Sequence, residues 1–246
     1  KIKLIFWGHC YDRRKGFNPE ETFSDKLRVK LLNRADALIV YTKLNKEIIG
    51  KQIDPLKIFV AQNTIDIDEH LRICNELDKK GKKLVKSKLE IYHEYSLVYI
   101  GRMIYEKRPD LLIEMFKMMD SEVRKITCIH FIGDGPMLPY CKHMVKDSNL
   151  EKNIIFHGSI HSPLITGEIL YVSDLMVMPG YLGLSVNHAF AYLLPVVSFK
   201  QSCSGPYHSP EIEYVINNET GFLIDEWNVS EMSKVVSSYL NDSKTK

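Results

Sequence analysis

What most limits the fold of this chain is where its glycines fall. Beyond residue 97, short apolar runs alternate with helical patterns, and four of those runs lead straight into glycine. Gly101 follows 97–100, Gly133-Asp134-Gly135-Pro136 follows 126–132, Gly158 follows 154–156, and Pro179-Gly180-Tyr181-Leu182-Gly183 follows 175–178. Continuous apolar runs of this length read as strands buried on both faces, and strands separated by helices pair in parallel. Pro109 and Asp110 suit a helix start, and Leu111, Leu112, Met115, Phe116 and Met119 recur at helical spacing as a core-facing stripe. The patterning predicts further helices from about residue 136 and over 163–171, 184–193 and 229–240, with strands over 196–199 and 222–224. This region is α/β: a mostly parallel, doubly wound sheet with helices on both faces.

The first part of the chain follows the same grammar but is shorter. Strands are expected over 2–7, 37–41 and 58–61, and helices over 23–35 and 44–50, which amounts to half of an α/β domain. Between the halves lies 66–94, with six lysines from Lys79 to Lys88 that read as a solvated helix face. The expected organisation is residues 1–66 as the C-terminal part of a first domain, 67–95 as linker and connecting helix, and 96–246 as a second domain.

Composition excludes several classes. With 246 residues the chain buries a core without disulfide staples. Lys+Arg 33 against Asp+Glu 31 leaves a net charge of +2, too little for a nucleic-acid-binding field. Cys10, Cys74, Cys128, Cys141 and Cys203 are scattered and odd in number, which fits free thiols in a reducing cytoplasm. Residues 175–199 hold no Asp, Glu, Lys or Arg, yet Pro179, Gly180, Gly183, Asn187, His188 and Pro195 break the run, so it reads as strand, loop, helix and strand rather than a membrane span.

All four glycine loops sit at the carboxyl ends of parallel strands, the edge where open α/β sheets bind ligands. Arg102 and Lys107 flank the first loop, and residues 180–183 feed directly into a helix, the best candidate for a phosphate cradle. Glycine-rich βα loops also arise for tight turns alone; four on one edge beside two cations favour a ligand. Sharper motifs fail. The chain has no GxGxxG, no GxxxxGK[ST] and no HExxH. Asp66-Ile67-Asp68 mimics a metal-holding DxD inside a polar linker and is read as a decoy. Gly183-Leu184-Ser185-Val186-Asn187 lacks the last glycine of a nucleophile elbow, and His208 precedes Glu211 and Asp225, the wrong order for a hydrolase triad.

Taken in order, Gly101-Arg102 with Glu106-Lys107, Gly133-Asp134-Gly135-Pro136, the PGxxGL loop with Ala189-Phe190-Ala191, Pro195-Val196-Val197 and Pro210-Glu211 resemble glycosyltransferase family 4. Ala35-Asp36-Ala37-Leu38-Ile39-Val40 and Gln62-Asn63-Thr64-Ile65-Asp66 resemble the last strands of that family's N-terminal domain. The resemblance implies a GT-B fold, two Rossmann-like domains facing a cleft, with the first incomplete here. It implies a metal-independent, retaining transfer of a sugar from a nucleotide-diphosphate sugar to a glycan or lipid-linked acceptor in polysaccharide biosynthesis. No cofactor is expected beyond the donor substrate. The implied place is the cytoplasm, with room for peripheral contact at the inner membrane face.

By the same resemblance, Arg102 and Lys107 grip the diphosphate, the backbone of Leu182, Gly183 and Leu184 caps the distal phosphate and sugar, and Gly133, Gly135 and Gly158 line the nucleotide. His9, at the end of the first strand, resembles a histidine that reaches the transferred sugar. This sequence departs from the family at two positions: Gly180 and His188 stand where the family carries glutamates. His188 reads equally as a ribose partner or a core histidine. The family also continues at both ends, so the resemblance implies missing opening strands and a missing C-terminal crossover helix. Two other readings stay open: a nucleotide-sugar-binding subunit without chemistry, and a GT-B nucleotide-sugar epimerase, for which no carboxylate pair stands at the loop ends.

Overall fold

The computed structural model describes residues 2–202, 205–225 and 227–242. Its contacts divide it into two compact units, Lys1–Thr64 and Ile65–Lys246.

The first unit runs β1 (Ile5–Trp7), α1 (Phe23–Asn33), β2 (Ala37–Val40), α2 (Lys43–Ile49) and β3 (Ile58–Val60). The strands form a three-stranded parallel sheet in the order β1-β2-β3. β1 starts later than the patterning predicts, because the Leu4 N–H donates to the Asp36 carboxylate (2.9 Å) instead of to a strand. α2 starts where it does because Thr42 Oγ1 accepts from the Asn45 N–H at 3.0 Å, which satisfies a free end-donor of the helix. Leu32, Ala35, Leu38, Val40, Ile49, Ile53 and Ile58 make up its buried core.

The second unit opens with α3 (Asp68–Lys80) and α4 (Lys82–Lys88). It continues through β4 (Tyr95–Ile100), α5 (Pro109–Met118), α6 (Ser121–Lys125), β5 (Thr127–Ile132), α7 (Leu138–Asp147), β6 (Ile154–Gly158) and α8 (Pro163–Val172). β7 (Leu175–Val177), α9 (Ser185–Ala191), β8 (Val196–Phe199), β9 (Gly221–Ile224) and α10 (Val229–Asp242) complete it. Six parallel strands lie in the order β6-β5-β4-β7-β8-β9. The chain winds outward from β4 to β6, returns to the far side of β4, and winds outward again, which is the doubly wound topology. The helices fall into two packed groups: α5 against α7 and α10, and α3 against α4, α8 and α9.

The segment 67–95 thus contributes two helices, α3 and α4, both packed on α8 within the second unit. His70, Ile73 and Leu77 are the buried stripe of α3. The solvated reading of the lysines holds for the exposed Lys79, Lys80, Lys83 and Lys88, the last of which also pairs with the buried Glu168. It is corrected for the half-buried Lys82 and Lys86: Lys82 pairs with Asp174 at 2.7 Å, and Lys86 donates to the carbonyls of His93 (3.2 Å) and Glu94 (2.6 Å). These two dock α4 on the second unit. Cys10, Cys74, Cys128 and Cys141 are free thiols, and Cys203 lies outside the described residues. Among the described residues, no helix is long and apolar enough to cross a membrane, and no cluster of three or more His, Cys, Asp or Glu side chains could hold a metal ion.

Candidate functional site

The strand order reverses between β4 and β7, and open α/β sheets bind ligands in the crevice beyond the carboxyl ends of the strands at such a switch point. The loop after β4 carries Gly101, the exposed Arg102, the fully buried Met103 and a short 3-10 turn, Tyr105–Lys107. Arg108 ends the turn in the left-handed region, φ 46°. Its guanidinium is forked onto the Asp110 carboxylate (Nε–Oδ1 3.0 Å, Nη2–Oδ2 2.7 Å) and lies over the Tyr105 and Trp227 rings, so this cation is spent on structure. Arg102 and Lys107 are different. Among the described residues neither pairs with a carboxylate. Burial, and then the like charge of Arg102, holds the Lys107 ammonium down to about 8. Its Nζ donates to the Tyr181 carbonyl at 3.4 Å and sits 5.5 Å from the Tyr181 ring centroid.

The loop after β7 is zipped to that turn by backbone hydrogen bonds, Gly180 N–H to Lys107 O (3.2 Å) and Tyr181 N–H to Glu106 O (2.7 Å). A Cβ at Gly180 would lie 2.3 Å from the Glu106 carbonyl oxygen, so only glycine fits there. The space that a side chain at 180 would need is filled by the backbone of 106–107.

Gly133 and Gly135 are corrected from ligand-facing to packing glycines. A Cβ on Gly133 would stand 1.9 Å from Gly101 O, and one on Gly135 would stand 2.5 Å from Met103 O. Their N–H groups are also spent, on Gly158 O (2.8 Å) and Asp134 Oδ1 (2.6 Å). Gly158 has open space about its Cα and a left-handed φ of 68°, so it serves the turn at the end of β6. Gly183 is unlike these. An added Cβ would meet only ordinary contacts, 3.4 Å to Tyr181 and 3.6 Å to Ser209, and its φ is not left-handed. Neither packing nor a left-handed backbone demands glycine at 183.

Of the three cradle amides, that of Leu182 is corrected: it donates to His208 Nδ1 at 3.0 Å and is closed to a ligand. Those of Gly183 and Leu184 have no acceptor among the described residues. The loop of Arg102 and Lys107 thus meets, at Tyr181, the loop that carries Gly183 and Leu184. His188 is placed elsewhere, at the contact of α9 with α3. Its ring meets the His70 ring edge-on at 4.8 Å, and burial, then His70, holds it down to about 4. His9 belongs to the first unit, where its ring lies 5.0 Å from that of Tyr41 and its carbonyl accepts from Asn45 Nδ2 at 3.2 Å. His208 was not foreseen; it lies 26 residues from its partner Leu182, and no local pattern links them.

A doubly wound parallel sheet is a Rossmann-like unit, and the solved structures that resemble the chain have the GT-B fold. Anabaena HepE in complex with UDP superposes with a TM-score of 0.70 at 17% identity, over 98% of this chain and 63% of that one. The chain belongs to the family of glycosyl transferases group 1, whose model matches residues 82–246. It is 25% identical over 220 residues to the poly(ribitol-phosphate) alpha-N-acetylglucosaminyltransferase of Staphylococcus aureus (strain COL), covering 89% of this chain and 40% of that protein. It is 27% identical over 146 residues to the UDP-Gal:alpha-D-GlcNAc-diphosphoundecaprenol alpha-1,3-galactosyltransferase of Escherichia coli, covering 58% of this chain and 36% of that protein. The chain thus spans about two fifths of the length of the curated relatives it matches.

Proposed function

We propose that the second unit binds the nucleotide-diphosphate sugar of a retaining glycosyltransferase that serves glycan or lipid-linked polysaccharide assembly, and that transfer needs no metal. The observation that supports this reading is a pair of cations without a carboxylate partner among the described residues, Arg102 and Lys107, on a loop hydrogen-bonded to the one that leads into the open amides of Gly183 and Leu184. An ammonium held near 8 by burial gains most when an anion arrives, because the anion restores the stability of its charged form. As the glycosidic bond breaks, negative charge grows on the diphosphate leaving group. Fixed cations and amide dipoles oppose that charge without reorganising, and no protein nucleophile is required. The names of the relatives agree with this reading: one transfers from a UDP-sugar to a lipid-linked diphosphate, another acts on a poly(ribitol-phosphate). His9 is assigned to the transferred sugar, and the free thiols fit a cytoplasmic enzyme working at the inner membrane face.

A nucleotide panel by calorimetry tests the site. UDP or GDP should bind, the Lys107→Ala variant should bind more weakly, and EDTA should leave transfer unchanged. Equal affinity in Arg102→Ala, Lys107→Ala and the parent sinks the assignment. The binding-only reading is favoured by one observation, that neither position 180 nor 188 supplies a carboxylate. Slow donor hydrolysis without acceptor, present in the parent and absent in His9→Ala, decides against it.

A further inference from the structure

The crevice owes its shape to a side chain that never touches it. His208 is 3% exposed and stands between the two loops that end β7 and β8. Its Nδ1 lies 3.0 Å from the Leu182 N–H, and its Nε2 lies 3.0 Å from the Phe199 carbonyl oxygen. A backbone N–H only donates and a carbonyl only accepts, so the partners dictate a neutral ring with its hydrogen on Nε2. The chain on either side adds to the hold. Ser209 N–H donates to Leu182 O (2.9 Å), Gln201 Oε1 accepts from the His208 N–H (3.3 Å), and Ser209 Oγ meets the Tyr181 hydroxyl. Leu182 is therefore gripped at both its N–H and its carbonyl, while the two amides that follow it stay open.

That asymmetry has a physical consequence. Leu182 is wholly buried, so an N–H there without an acceptor would be costly, and the peptide would turn to relieve it. Turning it would re-aim the amides of Gly183 and Leu184. We infer that His208 is a positioning residue for the nucleotide diphosphate: by accepting from Leu182 through Nδ1, it fixes the backbone that points the next two amides at the phosphate. This rests on the donor reading of the site given above.

The two ring nitrogens can be tested separately. In His208→Asn the amide oxygen takes the place of Nδ1 and can still accept from Leu182, but the bond to Phe199 is lost. In His208→Gln the amide nitrogen takes the place of Nε2 and can still donate to Phe199, but Leu182 loses its acceptor. Each variant forfeits one of two hydrogen bonds, so their melting temperatures should fall by similar amounts. UDP affinity by calorimetry should separate them. The Asn variant should stay within about threefold of the parent, and the Gln variant should weaken about tenfold or more. His208→Ala should weaken UDP at least as much as Gln. If UDP affinity tracks melting temperature across the variants, with Asn and Gln alike, His208 is a packing residue only and the inference is overturned. A parent chain that binds no nucleoside diphosphate overturns the donor reading itself, and the positioning role with it.

Discussion

The two units are built from the same parallel strands but bury them to different degrees. In the second unit β5, β7 and β8 are buried along their whole length, because helices cover both faces of the sheet. In the first, Ile5 is 56% exposed, Trp7 68% and Phe59 57%, and β2 alternates between buried and half-buried. A parallel sheet normally buries both faces. The comparison teaches that strand pairing alone does not make a stable platform. The unpaired cations and open amides of the second unit can be held in place because its core is closed, whereas His9 sits at the end of an exposed edge strand.

The largest expected difference is in autonomy. Residues 65–242 expressed alone should give one cooperative thermal transition. Within the whole chain, limited proteolysis followed by mass spectrometry should cut first inside 2–64. Uniform resistance of both units in a dilute monomer would erase the contrast.

Glycine replacement sharpens it next. Gly133→Ala forces a Cβ to 1.9 Å from Gly101 O at a φ of 141°, and should cost roughly 3 kcal/mol or more of stability. Gly8→Ala, at φ 155° with nothing within 4 Å, should cost only about 1 kcal/mol. Urea titration of the two variants checks the ratio.

A third comparison separates donor binding from chemistry. Lys107→Ala should weaken UDP by about 1.5–3 kcal/mol, the worth of a charged hydrogen bond. His9→Ala should leave UDP affinity unchanged and slow transfer. A loss of UDP affinity in His9→Ala would show that the division of labour is drawn in the wrong place.

The smallest effects are those of pH. The charged form of Lys107 binds the diphosphate, so UDP affinity should decline as pH rises past about 8. Stability moves the other way through this group. Between about 8 and the ordinary lysine value of 10.5 the unfolded chain holds a proton that the folded chain has released, so Lys107 by itself makes stability rise with pH there. On the acid side His130, buried and pushed down to about 3, is neutral in the fold while the unfolded ring charges below 6.5. Stability of the second unit should fall as pH drops from 6.5, by up to about 1.4 kcal/mol per unit from this residue. Monitoring Trp7 and Trp227 fluorescence separately, by single replacement, assigns each loss to its unit.

The rhythm of strand, glycine and helix was legible because parallel strands need long apolar runs and their loops need turns, and both are local properties. Pro109 and Asp110 marked the start of α5 for the same reason. The one connecting helix expected within 67–95 is two, α3 and α4, and the bounds of α3 were not legible because only His70, Ile73 and Leu77 are buried among many charges, a stripe too thin to stand out. The crevice was legible as a place and only partly as a set of atoms. Arg102, Lys107, Gly183 and Leu184 lie on the two loops that leave β4 and β7, as the strand pattern expects. Gly133 and Gly135 were read as ligand-facing because a sequence cannot show that Gly101 O and Met103 O already fill the space beside them. Leu182 was read as a free donor because its acceptor, His208, arrives from a distant loop.

The zip between 106–107 and 180–181 bears on how such a site can change over time. With the Glu106 oxygen 2.3 Å and the Lys107 carbonyl carbon 2.4 Å from where a side chain at 180 would begin, a single codon change to an acid would be met by collision. The 105–107 turn would first have to withdraw, and withdrawing it would take Lys107 out of the crevice. Any side chain at 180 therefore requires the 105–107 turn to move, and the two loops can exchange a residue here only together.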